Sequence, residues 1–225
     1  MNRQVAARCL IALPAMAVLL GLAASALWRA QADFSGREAR YRLDKAILGR
    51  QAMGPQEWER TRVLLEGSLA MEPNDATYNE DLAHLHFLRA AQARGDSRLL
   101  RTHYELALAQ YQKAAALRPT SAYTHASIAT VKLRLGQFDP DFSRALLLAT
   151  RYGPWEPAVH SQVMAAGLLA WVGLAEPVRT AVRGNLERAH ALDATRTEQY
   201  LRANRRTMPP CDQLRVAIPG ICPAP

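Results

Sequence analysis

Residues 107–119 read ALAQYQKAAALRP. Apolar side chains recur here at three- and four-residue spacing, the period of a helix that buries one face. Ala107 and Ala114 are small, and Tyr111 falls between them, four residues after one and three before the other. Small residues at a crossing let a second helix approach closely, and an aromatic fills the space beside them. Pro119 ends the stretch, because proline has no N–H to donate and clashes with the preceding turn. The segment reads as the second helix of a closely packed pair.

The same grammar runs outward from it. From Asp33 to about Arg206 the chain reads as helix after helix, without the alternating Val, Ile and Thr that mark strands. Gly54-Pro55, Pro73-Asn74-Asp75, Gly95-Asp96, Gly136, Gly153-Pro154, Gly173 and Pro209-Pro210 each end a periodic stretch. Asp139-Pro140-Asp141 is a helix start, with an Asp to cap free amides and a Pro where no N–H is needed. Thr120 is the expected cap of SAYTHASIATVKLRL, and Glu176-Pro177 starts another helix. Gly136 and Gly173 stand where a C-terminal glycine belongs.

The helices pair and the pairs recur. Pro73, Pro119 and Pro154 each follow one apolar helix and precede another, and Pro119 to Pro154 is 35 residues. Ala107, Tyr111, Ala114 and Pro119 match the second helix of a tetratricopeptide repeat without a gap. Ala129, Gly136, Ala149 and Pro154 follow it with one extra residue near Phe138. Leu82 and Ala83 begin an earlier unit with a longer turn around ARGDSR, and a degenerate unit runs from Trp155 to about Leu192. Over residues 55–192 the chain resembles tetratricopeptide-repeat proteins, whose helical pairs leave an apolar face that the next pair covers. A generic helical bundle is the alternative. The resemblance implies an all-α solenoid with a groove lined by the first helix of each pair. It places Thr77, His84, Tyr123, Thr130 and Arg134 in that groove, to bind a peptide or partner protein. RYGPWEP (151–157) followed by VHSQVMAAGLLAW (159–171) also looks like bacterial inner-membrane proteins of exopolysaccharide gene systems (VpsP-like). That resemblance implies an accessory role in polysaccharide assembly or export and carries over no catalytic residue.

Residues 9–28, CLIALPAMAVLLGLAASALW, contain no charge. At 1.5 Å per residue such a helix spans about 30 Å, the thickness of a bilayer core. A signal peptide has a shorter apolar stretch and a small-x-small cleavage site, which Ala24-Ser25-Ala26 and Ala30-Gln31-Ala32 both offer. The long run favours an uncleaved anchor. Cys9 lacks the lipoprotein-type context for lipid attachment. Three segments are expected: an anchor over 1–32, a helical repeat domain over 33–208, and an irregular Pro-rich tail over 209–225.

Orientation draws on two signals that disagree. Arg29, Arg37, Arg40, Arg42, Lys45 and Arg50 outnumber Arg3 and Arg8, which by count alone puts the domain in the cytoplasm. Long domains, however, translocate largely regardless of charge. Outside the apolar run the chain has only Cys211 and Cys222. A pair in a short tail suits a disulfide in an oxidising space, so the expected location is the inner membrane with the domain in the periplasm. Two free thiols in a cytosolic tail are the alternative.

With 225 residues, 49% hydrophobic and 21% charged, the chain is a folded protein rather than a disordered one. Three cysteines are too few for a disulfide scaffold. Phosphate-loop, dinucleotide, zinc-protease, nucleophile-elbow and EF-hand signatures are all missing, and nothing calls for a cofactor. His84 and His86, two apart on a helix, point about 200° apart and do not share a metal ion. The other histidines stand at no ligand spacing. Glu57 with Glu59 and Glu80 with Asp81 read as solvated helix faces. A glycan-cleaving enzyme would need a buried carboxylate at Glu80 or Glu156. A soluble protein released after Ala32 is a further alternative. Trp155 and Trp171 bracket one helix, as sugar-stacking rings or as packing between repeats. The formal charge is +8. ARYRLDKAILGR (39–50) carries much of it, suiting anionic headgroups; basic and acidic residues interleave without an aromatic platform, so nucleic acid is not expected as a partner.

Overall fold

The computed structural model describes residues 3–49, 53–93, 95–206, 208–214, 217–218 and 221–222, with side chains from Ala15 onward. Among these residues the chain is all-α, as the periodicity predicts. The helices are α1 (Arg3–Ile47), α2 (Pro55–Met71), α3 (Ala76–Gln92), α4 (Ser97–Leu117), α5 (Ala122–Leu135), α6 (Pro140–Tyr152), α7 (Pro157–Leu169), α8 (Glu176–Leu192), α9 (Ala194–Ala203) and α10 (Cys211–Leu214). The chain divides into two compact units, Met1–Asp81 and Leu82–Pro225, and α3 contributes to both.

In the first unit, α1 is long and apolar enough to cross a membrane. Its residues from Ala15 to Gln31 are exposed, Leu19, Leu20 and Leu27 among them. The helix does not stop at residue 32. It continues and turns amphipathic: Ala32, Gly36, Ala39 and Leu43 are buried, repeating at helical spacing on one face. That face packs on α2, where Thr61, Leu65 and Ser68 are buried. Ser68 Oγ lies 3.0 Å from the Ala32 carbonyl and 3.0 Å from that of Leu64, and donates to them. Gly36 is needed for a close approach, since a Cβ there would lie 2.3 Å from Cε1 of Tyr78. Tyr78 is buried and its hydroxyl donates to Asp33 Oδ1 at 2.9 Å.

In the second unit, consecutive helices from α4 to α9 pack on one another, and α5 also meets α7 and α6 also meets α8. α5 packs on α4, α6 and α7; α8 packs on α6, α7 and α9. Small residues sit at these crossings, with Ala107, Ala114, Ala126, Ala129, Ala149 and Ala166 fully buried. Ten of the fourteen residues of α5 are buried, while Arg134 in its last turn is exposed.

The local start and stop signals act largely where expected. Asp139 Oδ1 accepts from the Phe142 N–H at 2.9 Å, and Pro140 opens α6. Gly136 ends α5 at φ +70°, the left-handed region that glycine favours. Two expectations need correction. Ser121, not Thr120, caps α5, because its hydroxyl accepts from the Thr124 N–H three residues on. Gly173 is not a left-handed cap; it closes a single 3-10 turn, Trp171–Gly173, that follows α7. Arg179 holds this turn, donating to the carbonyls of Trp171 at 3.1 Å and Val172 at 3.0 Å.

The tail packs back onto the second unit. Cys211 and Cys222 are disulfide-bonded, and Ile218 and Cys222 form an isolated antiparallel bridge. Leu214, Ile218 and Cys222 belong to the hydrophobic core.

Gly167 sets the spacing of α7 and α8, since a Cβ there would lie 2.6 Å from Cγ2 of Val182. Thermal unfolding should show Gly167→Ala destabilised by about 1–3 kcal/mol through overpacking. Adding Val182→Ala should recover part of that loss, whereas an additive double variant would contradict the close approach.

Candidate functional site

Four helices of the second unit bring side chains to one small cavity. α5 offers Tyr123, Ser127 and Thr130, at offsets of four and three, which lie on one face of a helix. α3 offers His84 and Phe87, three apart. α4 supplies Tyr111 and α7 supplies Gln162. Together they line a cavity of about 140 Å³. No lining side chain carries a formal acidic or basic charge at neutral pH apart from the titratable His84.

Tyr123 and His84 form the polar wall. The Tyr123 hydroxyl is 2.9 Å from His84 Nδ1, and the two rings stack with centroids 6.3 Å apart. Phe87 meets His84 edge-on, with centroids 6.4 Å apart. Tyr111, the aromatic of the repeat-like stretch, is buried at the cavity. On the other side, Ser127 Oγ and Thr130 Oγ1 lie 3.3 and 3.4 Å from Gln162 Oε1. Thr130 Oγ1 also lies 2.9 Å from the Ala126 carbonyl, to which it donates within the helix. The site can therefore take a neutral group, offering aromatic faces and hydroxyl and amide hydrogen bonds.

His84, Tyr123 and Thr130, placed in a groove by the repeat resemblance, line this one cavity. Arg134 is exposed in the last turn of α5. Its charge reaches Tyr200 of α9, whose hydroxyl is pushed up by burial and drawn back down by Arg134. Thr77 belongs to the first unit, in the first turn of α3, where its N–H donates to Asp75 Oδ1 at 2.6 Å. Sequence reasoning does not reach Phe87 or Gln162. The register of the first helix of each pair, extended to α7, is the signal that leads to Gln162.

The remaining candidates lie away from this cavity. Trp171 is buried, with the guanidinium carbons of Arg179 and Arg183 5.7 and 5.9 Å from its ring centre. Trp155 is exposed in the turn before α7. Glu156 is exposed and Glu80 half-buried. The carboxyl group held above its usual range is Asp81, through burial, which Arg40 opposes with two hydrogen bonds at 3.0 and 2.8 Å. No group of three or more potential metal ligands occurs among the described residues. His86 points away from His84 and meets His103 of α4, Nδ1 to Nδ1, at 3.0 Å.

No protein-family model matches the chain, and neither a curated protein nor a solved structure matches it.

The His86–His103 contact gives a pH signature. One nitrogen must donate and the other accept, so the pair does not tolerate two imidazolium rings. Burial holds His103 below its ordinary value of 6.5, and the charge of Arg89 adds to the effect. On acidification the unfolded chain takes up this proton first. The contribution is intact above pH 6.5 and is lost as pH falls below it toward the folded-state value. Melting temperature should fall between about pH 7.5 and pH 5.5, and His103→Asn should flatten that slope. Equal slopes in the two proteins would remove His103 from the account.

Proposed function

We propose that this chain is a membrane-anchored scaffold of tetratricopeptide-like helical pairs that binds an extended segment of a partner protein. The observation that carries this reading is the convergence of His84, Tyr123, Thr130 and Gln162 on one cavity. They come from α3, α5 and α7, three helices that alternate with α4 and α6 along the chain. Such a cavity accepts a neutral side chain, and the backbone on either side of it would run along the first helices of the pairs.

An uncleaved anchor is supported by α1. The exposed apolar residues between Ala15 and Trp28 find their natural solvent in lipid, and Trp28 ends the run as an interfacial aromatic. Cleavage after Ala32 would remove a fully buried residue whose carbonyl accepts from Ser68. A periplasmic domain is supported by the Cys211–Cys222 disulfide, since such bonds persist in oxidising compartments. The accessory role in exopolysaccharide assembly at a bacterial inner membrane rests on the RYGPWEP phrase. That phrase forms the end of α6 and the turn before α7, with Trp155 exposed.

Two measurements test the reading. In intact cells, a membrane-impermeant maleimide should label Cys211 and Cys222 only after reduction. Labelling that needs lysis but no reduction would put the domain in the cytoplasm. A photo-crosslinker at Gln162 should give a discrete partner adduct that Thr130→Arg abolishes, because the longer, charged side chain fills the cavity. The same crosslinker at Val172, which is 88% exposed, should give none. Equal yields at the two positions would overturn the groove.

A further inference from the structure

The opposite side of α5 carries a second cavity. At about 100° per residue, His125, Ile128 and Lys132 lie about 170° around the helix from Tyr123, Ser127 and Thr130. These three line a space of about 430 Å³ together with residues of α4 and with Asp141, Arg144, Leu148 and Tyr152 of α6. Its chemistry is independent of the groove on the first side.

Lys132 is the unusual member. Its side chain is only 4% exposed, yet its ammonium carries three hydrogens. One goes to Asp139 Oδ2 at 2.6 Å, and no other described residue places an acceptor within hydrogen-bond distance of it. Donors left unfilled in a buried setting are costly. Arg144 lines the same cavity and has no carboxylate within ion-pair distance among the described residues. The Asp139 carboxylate is already committed. Lys132 and the Phe142 N–H hold it, and the ammonium keeps it below the usual range. The remaining walls combine Ile128, Leu148, Pro119 and alanines of α4 and α6 with the polar side chains of Gln112 and Asp141. At one end His125 and Tyr152 stack with ring centres 6.3 Å apart. His125 Nε2 lies 2.8 Å from the Pro119 carbonyl and donates to it, which fixes the ring.

We infer that this cavity is a binding site for a small monocarboxylate with a flat apolar body. One carboxylate oxygen fills the free donors of Lys132 and the other meets the guanidinium of Arg144. These are charge-assisted hydrogen bonds, stronger than those a neutral carbonyl would make. The apolar body lies against Ile128 and Leu148, beside the Tyr152 ring. Asp141, exposed at the same cavity, repels a second negative charge. That selects a carboxylate over a phosphate dianion.

The full-length protein in lipid nanodiscs, probed by saturation-transfer NMR with benzoate, benzamide and inorganic phosphate, tests this. Benzoate should bind saturably, and benzamide, the same shape without the charge, roughly tenfold more weakly. Phosphate should not displace benzoate. Arg144→Gln should reduce benzoate to the benzamide level while the melting temperature stays that of the parent protein, because Arg144 is exposed and makes no ion pair. Val172→Ala, at a residue 88% exposed in the turn after α7, should leave benzoate binding unchanged. Lys132→Met should lose benzoate as well. If that variant fails to fold, Arg144→Gln still decides. Equal affinity for benzoate and benzamide, benzoate binding that survives Arg144→Gln, or displacement by phosphate would each overturn the assignment.

Discussion

The second unit depends on the enclosure of α5. A helix with one broad wet face can be covered from one side, but α5 buries residues around most of its circumference. It must have neighbours all round, and α4, α6 and α7 are those neighbours. Its own composition makes this possible. Ala126 and Ala129 are fully buried, and side chains that short let other helices close in to within contact. Polar groups drawn into this interior find at least one partner nearby. Thr130 uses its own helix, Ser127 reaches Gln162, and Lys132 takes Asp139 from the start of the next helix. That last pair fastens the hairpin between α5 and α6. Lys132 is the buried partner and the Asp139 side chain is 43% exposed; without the carboxylate a buried cation would be left unpaired, which is costly.

Because α5 is enclosed on both sides, each side of it lines a different cavity. One side is neutral and aromatic; the other sets two cationic heads, a carboxylate and an amide among apolar residues. They differ because the neighbours differ. α3, α4 and α7 bring His84, Phe87, Tyr111 and Gln162 to the first, whereas α4 and α6 bring alanines, Arg144 and Tyr152 to the second. Neither cavity shares a lining residue with the other.

Much of the architecture is legible in the sequence because its signals are local. Asp139-Pro140 and Gly136 act within one turn of themselves, and the prolines at 73, 119 and 154 break the helical hydrogen-bond pattern wherever they fall. The cap of α5 is ambiguous on paper since two adjacent hydroxyls, Thr120 and Ser121, satisfy the same rule; only the backbone path separates them. The Cys211–Cys222 pairing is legible because the tail holds no other cysteine. What escapes is set by distance in the fold rather than in the chain. Gly167 has an ordinary backbone conformation, so no local rule marks it, and only Val182 on the facing helix explains it. His86 and His103 are seventeen residues apart, with no ligand spacing to draw them together on paper. His84, Tyr123 and Thr130 of the first cavity are legible through the register that the repeat resemblance implies. Phe87 escapes because it stands beside His84 on a face that reads as packing, and Gln162 because the repeat-like pattern is too degenerate beyond Trp155 to set a register.

α1 leaves one mechanical matter. Its apolar stretch and its packing face belong to one unbroken helix, with no loop or glycine pair between Trp28 and Ala32 to absorb rotation. The two are therefore geared together. Turning the apolar stretch about its long axis turns Ala32, Gly36, Ala39 and Leu43 by the same angle, and α2 must follow or lose contact. One residue added between the two parts would put them about 100° out of phase. Whatever grips the apolar stretch thereby sets the heading of the packing face, as a shaft sets the heading of a vane.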